Sequence, residues 1–312
     1  MHRAIITGTS GFIGYALLQE LLQHNYEVLA VVRTEDGARK VKRLQDPRVH
    51  PVICEIPDFT PLFQMASGEY DVFFHMAWDG VSGEKSRNDV VQRKNIQGAI
   101  QAVRAARALH CKRFVGAGSL HEIECIKEME QQGKSLNLGN YYKTSKLAAH
   151  YYCKLEAARQ DIDFLWPRLT NTYGAGEKSA RLVNSMIRKL LAGESPDVTE
   201  ATQLYNFIYI TDAAKAYRLI AEKGTSYANY VLGSEEVRPL KEYLTQIRDV
   251  VNPDIEIGFG RHPYSGVYLE KDDLYTQVFF SDTGFKTSVP FQKGIHLTME
   301  FLQSTPDKEF IV

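Results

Sequence analysis

The stretch Asn140-Tyr-Tyr-Lys-Thr-Ser-Lys146 sets Tyr142 and Lys146 four positions apart, so on a helix the phenol and the ammonium share one face. A free phenol titrates near pH 10. A fixed positive charge beside it favours phenolate and brings it toward a pH where it can exchange a proton. Ser119 closes the apolar run Arg113 to Gly118, where a strand would deliver it to a cleft. Its hydroxyl can donate to a carbonyl oxygen as that oxygen gains charge. A Tyr-x-x-x-Lys pair arises about once by accident in a chain of this composition, so its weight depends on the company it keeps.

That company begins at the amino terminus. The short apolar run Arg3 to Thr7 leads into Gly8-Thr9-Ser10-Gly11-Phe12-Ile13-Gly14 and then the helical pattern of Leu17, Leu18, Leu21 and Leu22. Strand, glycine turn and helix form the setting of a dinucleotide fingerprint. Gly8 permits the tight turn, Gly11 lets backbone N–H groups approach a pyrophosphate, and Gly14 lets the helix pack close to the strand. The next strand, Glu27 to Val32, ends in Arg33. An acidic residue there would bind an adenosine ribose 2′-hydroxyl; a guanidinium suits a 2′-phosphate, so the expected cofactor is NADP, with NAD as the alternative.

A third strand, Val49 to Cys54, leads to Glu55-Ile56-Pro57-Asp58, where Asp58 either meets the adenine or begins a turn. Asp71 to Trp78 reads as a buried parallel strand running into a loop, with His75 a satisfied core histidine and the small Ala77 close to the cofactor ribose. Asn88 to Leu109 is a helix with two apolar faces, Ile96, Ile100 and Val103 on one and Ala99, Ala102 and Ala106 on the other. The polar segment from Glu122 through Glu124, Glu128 and Glu130 reads as a solvated flap.

The chain has 312 residues, 37 basic and 38 acidic, with a net charge of −1. No global field points to nucleic acid or a membrane surface, so an anion must be bound locally. The four cysteines include no Cys-x-x-Cys, which reads as reduced thiols with no zinc site. No run reaches membrane-span length, and a soluble, cytoplasmic protein is expected.

The ordered set Thr7-Gly8-x-x-Gly11-x-x-Gly14, the Asp71 to Ala77 strand, Asn95, Ser119, Tyr142-x-x-x-Lys146 and Pro167-Arg168-x-x-Asn171-x-Tyr173-Gly174 resembles the extended short-chain dehydrogenase/reductase family. The likeness is to its members acting on nucleotide-diphosphate sugars, and it continues through Asn206 to Asp212 and Asp282-x-Gly284-Phe285. The resemblance implies that Tyr142 is the acid/base, that Lys146 holds the nicotinamide ribose, and that Ser119 binds the reacting oxygen. It extends the cofactor set to Ser10, Phe12, Ile13, Glu55, Ile56, Met76, Ala77, Trp78, Asn95 and Pro167. It places His121, Asn171 and Arg261 against the substrate, Arg261 toward its diphosphate, and implies a homodimer through the Asn95 and Tyr142 helices.

The departures bear on the reaction. Where 4,6-dehydratases of the family carry Asp-Glu after the hydroxyl residue, this chain has Leu120-His121, which disfavours dehydration. His121 stands where some relatives place a proton-transferring residue, and imidazole titrates near neutrality; a loop histidine with a structural hydrogen bond is the other reading. Before the Phe207-Ile-Tyr-Ile210 run, where the family often has an arginine or aspartate nearby, this chain has Tyr205-Asn206, which leaves the nucleotide contacts open.

The expected fold is α/β. A Rossmann-type doubly wound parallel sheet spans 1–172 and 205–232, and a smaller discontinuous mixed α/β substrate-binding lobe spans 173–204 and 233–312, the two meeting across a cleft. In that second half, expected elements are a helix over 178–192, a strand over 205–210, a helix over 213–222 capped by Asp212, and a strand over 255–259. The expected activity is NADPH-dependent reduction of a nucleotide-linked 4-keto-6-deoxy sugar. The alternatives are an NAD(P)-dependent C4 epimerase of a nucleotide sugar, reduction of a non-nucleotide ketone, and a non-catalytic dinucleotide-binding sensor.

Overall fold

The computed structural model describes residues 2–130 and 140–305. Part of the expected flap before Tyr142, and the end of the expected substrate lobe, therefore lie outside the described residues. The chain divides into two compact units: Met1–Leu169 with Ala214–Leu232 and Gln277–Phe285, and Thr170–Ala213 with Gly233–Thr276 and Lys286–Val312.

In the first unit the strands are β1 (His2–Thr7), β2 (Tyr26–Val32), β3 (Val49–Ile53), β4 (Tyr70–His75), β5 (Cys111–Gly116), β6 (Gly118–Ser119), β7 (Asp163–Leu165) and β8 (Arg168–Leu169). Its helices are α1 (Phe12–Gln23), α2 (Glu35–Lys42), α3 (Thr60–Met65), α4 (Asp89–Ala108), α5 (His121–Glu130) and α6 (Asn140–Gln160), followed by residues 214–223 and Gln277–Thr283. Six strands form one parallel sheet in the order β3-β2-β1-β4-β5-β7. The reversal of strand order between β1 and β4 is the doubly wound arrangement, which opens a crevice at the strands' carboxyl ends.

The sheet's core is aromatic on one side. Phe73, Phe114 and Phe164 are paired across β4, β5 and β7, with ring centroids 5.8 and 6.0 Å apart. Each is fully buried, a contribution of roughly 1.5–3 kcal/mol apiece. Ala99, Ala102 and Ala106 of α4 and Ala149, Cys153 and Ala157 of α6 pack in the same cluster, where small side chains let two helices lie close together. Asn88 caps α4 by accepting from the Val90 and Val91 N–H groups. Leu17, Leu18 and Leu21 of α1 are also fully buried.

Two strand segments of this unit are each split. Arg113–Gly118 breaks at Ala117 into β5 and β6, and the strand after Asp163 breaks at Trp166-Pro167 into β7 and β8. Proline offers no N–H to a ladder, and the Trp166 indole occupies the space that a Cβ at Gly116 or Gly118 would fill. β8 pairs instead with β6 and with Val231–Leu232.

The second unit pairs Asn171–Tyr173 with Phe207–Tyr209 in parallel and Leu204–Tyr205 with Arg238–Pro239 antiparallel. Helices Leu182–Leu191, Leu240–Val251 and Phe291–Ser304 complete it around Phe207, Tyr243 and Phe291, whose centroids lie 4.7 to 5.3 Å apart. Residues 205–213, expected with the dinucleotide domain, group here because Asn206 is fully buried and bonded to Thr170 and Ser234. Residues 277–285, expected in the substrate lobe, group with the first unit, where Lys223 and Tyr230 bond to Thr283 and Asp282.

Three local expectations are corrected in this unit. The helix expected over 178–192 begins at Leu182. The helix expected to start at Ala213 begins at Ile210, so Asp212 is not its cap; its buried carboxylate accepts the Ser288 and Val289 N–H groups. The strand expected over 255–259 is a single bridge between Asp197 and Gly258.

Candidate active site

The fingerprint glycines act through close approach. Gly8 has φ 71°, and a Cβ there would come within 2.8 Å of the Ala77 backbone; a Cβ on Gly14 would stand 2.3 Å from the Gly8 oxygen. Only glycines let β1, the start of α1 and the loop after β4 meet this tightly. Gly11 is the N-cap of α1 and brings no side-chain hydrogen bond, so the N–H groups of the first turn, including Phe12 and Ile13, remain available to an anion.

Beside this turn lies a cavity of about 450 Å³, lined by Gly8, Ser10, Gly11, Arg33, Glu55, Ile56, Met76, Ala77, Trp78 and Asn95 among others. Ten of the residues named from the sequence for a dinucleotide thus line one space, and the glycine cradle fits the pyrophosphate of such a cofactor. Asn95 acts indirectly as well: its amide clamps the loop after β4 by accepting the Asp79 N–H and donating to the Asp79 carbonyl. Arg33 pairs with Asp79 at 3.3 Å, and Glu55 with Lys94 at 3.2 Å. Pro167 does not line the cavity; its carbonyl packs where a Cβ on Gly118 would be.

Tyr142 and Lys146 both lie on α6, as their spacing predicts. Lys146 is buried; its Nζ donates to the Ala117 carbonyl at 2.9 Å, the point at which the β5–β6 strand is interrupted. It stands 3.6 Å from the Trp78 ring centroid and 5.9 Å from that of Tyr142. Burial draws its pKa down to about 7, against the opposing charge of Glu122. The Tyr142 ring is met edge-on by Trp78 at 6.1 Å and by His121 at 5.7 Å. The His121 N–H in turn donates to the Ser119 hydroxyl oxygen at 3.3 Å. Tyr142 and Lys146 thus share Trp78 as a neighbour, and His121 meets the Tyr142 ring with its imidazole and Ser119 with its backbone N–H, all within the first unit.

The expected flap is corrected where it is described: residues 121–130 are α5, and three of its glutamates, Glu122, Glu124 and Glu128, are drawn in from solvent. Glu122 is fully buried, accepting from Ser119 N–H, Trp166 Nε1, His150 Nδ1 and Arg168 Nε. Glu124 accepts from His121 at 2.9 Å and pairs with Lys143 at 2.6 Å. Burial would raise the Glu124 pKa, but His121 and Lys143 hold it at about 2. Sequence reasoning missed Glu122 and also Gln92, which is buried and ties Trp78 Nε1 to the carbonyls of Gly80 and Lys85. An acidic residue two places before Glu124 carried no local sign of burial.

His75 is a satisfied core histidine as expected, its Nδ1 bonded to the Thr7 hydroxyl. Asn171 and Arg261 belong to the second unit. There the Asn171 amide donates to the Asn206 carbonyl, and the Arg261 N–H donates to the Val198 carbonyl.

The sequence model of the NAD dependent epimerase/dehydratase family matches residues 4–233. CDP-abequose synthase from Salmonella muenchen is 22% identical, covering 94% of this chain and 95% of that protein. The dTDP-4-dehydro-6-deoxy-D-allose reductase of Streptomyces bikiniensis is 26% identical over 76% of this chain and 78% of its own length. Among solved structures, the Bordetella bronchiseptica enzyme WbmF in complex with NAD+ and UDP is similar in fold, with a TM-score of 0.77 at 20% identity, covering 97% of this chain and 92% of that one.

Proposed function

The chain belongs to the NAD dependent epimerase/dehydratase family, and from that premise we propose that it reduces the 4-keto group of a nucleotide-linked 4-keto-6-deoxy sugar with NADPH. The observation that carries this reading is the contact of Tyr142 and Lys146 with Trp78, a residue that also lines the cavity beside the glycine turn, with His121 linking the Tyr142 ring to Ser119.

A bound nicotinamide supplies the hydride that reaches the carbonyl carbon. Ser119 donates its hydroxyl hydrogen to the carbonyl oxygen as charge grows there, and Tyr142 gives that oxygen its proton. The Lys146 ammonium would hold the nicotinamide ribose of a bound cofactor and would stabilise the phenolate that Tyr142 becomes. Trp78 lies against Lys146 and excludes water from it, so the charge is little screened while Lys146 is protonated. Asn171 and Arg261, in the second unit, offer an amide and a guanidinium, donors suited to a sugar hydroxyl and to a phosphate.

The preference for reduction rests on Arg33 at the cavity wall and on Leu120-His121, which lack the carboxylates an elimination needs. The reductase of Streptomyces bikiniensis carries a 4-dehydro-6-deoxy sugar in its name, which supports the same substrate class. A C4 epimerase is the second reading, favoured by the ion pair that already engages Arg33 with Asp79. Exposed Tyr151, Tyr152 and Leu155 on α6 support a homodimer through α4 and α6. Among the described residues no helix is long and apolar enough to cross a membrane.

Mixing the protein with NADPH and a panel of nucleotide 4-keto-6-deoxy sugars tests the proposal. One NADPH consumed per sugar is the expected result. Interconversion of saturated nucleotide sugars with no net consumption would replace reductase by epimerase.

A further inference from the structure

Resting on that reading, we propose that Glu122 is a positioning residue for the reaction: its buried carboxylate fixes the strand end bearing Ser119 and supplies the negative charge that keeps Lys146 an ammonium.

The geometry is that of a carboxylate kept ionised. One oxygen accepts the Ser119 N–H at 2.9 Å and the Trp166 indole N–H at 3.0 Å; the other accepts from His150 Nδ1 at 2.8 Å and Arg168 Nε at 3.3 Å. Four donors use about all the lone-pair sites a carboxylate has. Burial alone would push its pKa up, yet these bonds, His150 foremost, hold it below the ordinary carboxylate range.

A fully buried charge is a poor device for stability alone, since well-packed apolar side chains in the same volume do as well or better. Its placement points to the site instead. The Ser119 N–H it holds belongs to the residue whose hydroxyl meets the reacting oxygen, and the Trp166 indole it holds fills the gap at Gly116 and Gly118 behind that strand.

Lys146 Nζ donates to the Ala117 carbonyl and Glu122 accepts the Ser119 N–H, so ammonium and carboxylate hold backbone groups two residues apart on one short stretch of chain, and the charges around Lys146 isolate the second half of the role. From α6 itself come Tyr142 and Cys153; from β4 comes His75; from α5 comes Glu122. Burial pushes the Cys153 thiol up and draws His75 down to about 3, so both are uncharged at neutral pH. Tyr217, whose buried hydroxyl faces the fields of Tyr142 and Glu122, is held neutral by burial as well. Glu122 is thus the ionised partner among these groups, and it opposes the burial that would strip the proton from Lys146.

The test compares kcat against pH for wild type, Glu122→Gln and Glu122→Asp, with NADPH binding followed in parallel by its fluorescence. Glutamine keeps the shape and removes the charge: the alkaline limb of kcat should move to lower pH by about one unit or more, and the pH-dependence of NADPH binding should move with it. Aspartate keeps the charge and withdraws from Ser119: kcat should fall at least about tenfold with the limb in place. An unmoved limb in Glu122→Gln, or a displaced limb in Glu122→Asp, overturns the proposal. If glutamine prevents folding, the aspartate arm decides alone. A wild type inactive on every sugar would end the reductase reading, while the binding profiles would still decide the role of Glu122.

Discussion

The Lys146 ammonium lies over the indole of Trp78, 3.6 Å from the ring centroid, at a position with almost no access to water. A cation held there is attracted by the ring's quadrupole yet has lost its hydration shell, and the loss dominates, drawing its pKa from 10.5 to about 7.

That shift has a sign in stability. Between about pH 7 and 10.5 the unfolded chain keeps a proton on Lys146 that the folded chain has released. The unfolded state binds more protons there, so stability from this group rises with pH across that window and is flat below it. Thermal unfolding of the cofactor-free wild type and Lys146→Met, compared from pH 6 to 10, should show wild type gaining on the variant above about pH 7. A pH-independent difference between the two would mean that Lys146 is solvated like an ordinary lysine.

Gly14→Ala should both destabilise the fold and weaken dinucleotide binding. The new methyl would lie 2.3 Å from the Gly8 oxygen, a backbone atom that cannot step aside. Overpacking of this kind costs about 1–3 kcal/mol. The measurement is a melting curve with and without NADPH; an unchanged melting point and an unchanged ligand-induced rise would show that α1 does not pack as described.

The parts of this arrangement set by local backbone requirements were legible beforehand. Glycines at 8, 11 and 14 declare a tight strand-to-helix turn, and the apolar Val72-Phe73-Phe74 run declares a strand covered on both faces. Tyr142 and Lys146 needed only helical spacing. Glu122 and Asp212 were misread because their partners come from elsewhere in the chain: His150 and Arg168 lie 28 and 46 positions from Glu122, and Ser288 lies 76 from Asp212. In each case a carboxylate beside polar neighbours looks like solvated surface or a helix cap until the fold brings distant donors to it. The split strands followed from the bulk of Trp166, which no pattern of apolar residues encodes.

In the proposed function, Arg33 is the residue assigned to choose between the two pyridine dinucleotides. Arg33→Asp should weaken NADPH binding at least about tenfold and leave NADH binding intact or improved, because a carboxylate repels a 2′-phosphate and accepts from a 2′-hydroxyl. Fluorescence titration of both cofactors reads this out. Equal affinities for NADPH in wild type and variant would assign Arg33 to its ion pair with Asp79 alone.

The central claim is that a hydride passes to a sugar carbonyl while Tyr142 provides the proton. It is tested most directly with NADPH carrying deuterium at the transferred position and a nucleotide 4-keto-6-deoxy sugar, with product followed by mass spectrometry. The account predicts one deuterium at C4 of each product molecule with wild type, and with Tyr142→Phe a loss of at least about a hundredfold in kcat while NADPH binding persists. Product free of deuterium, or full turnover by the phenylalanine variant, would contradict it.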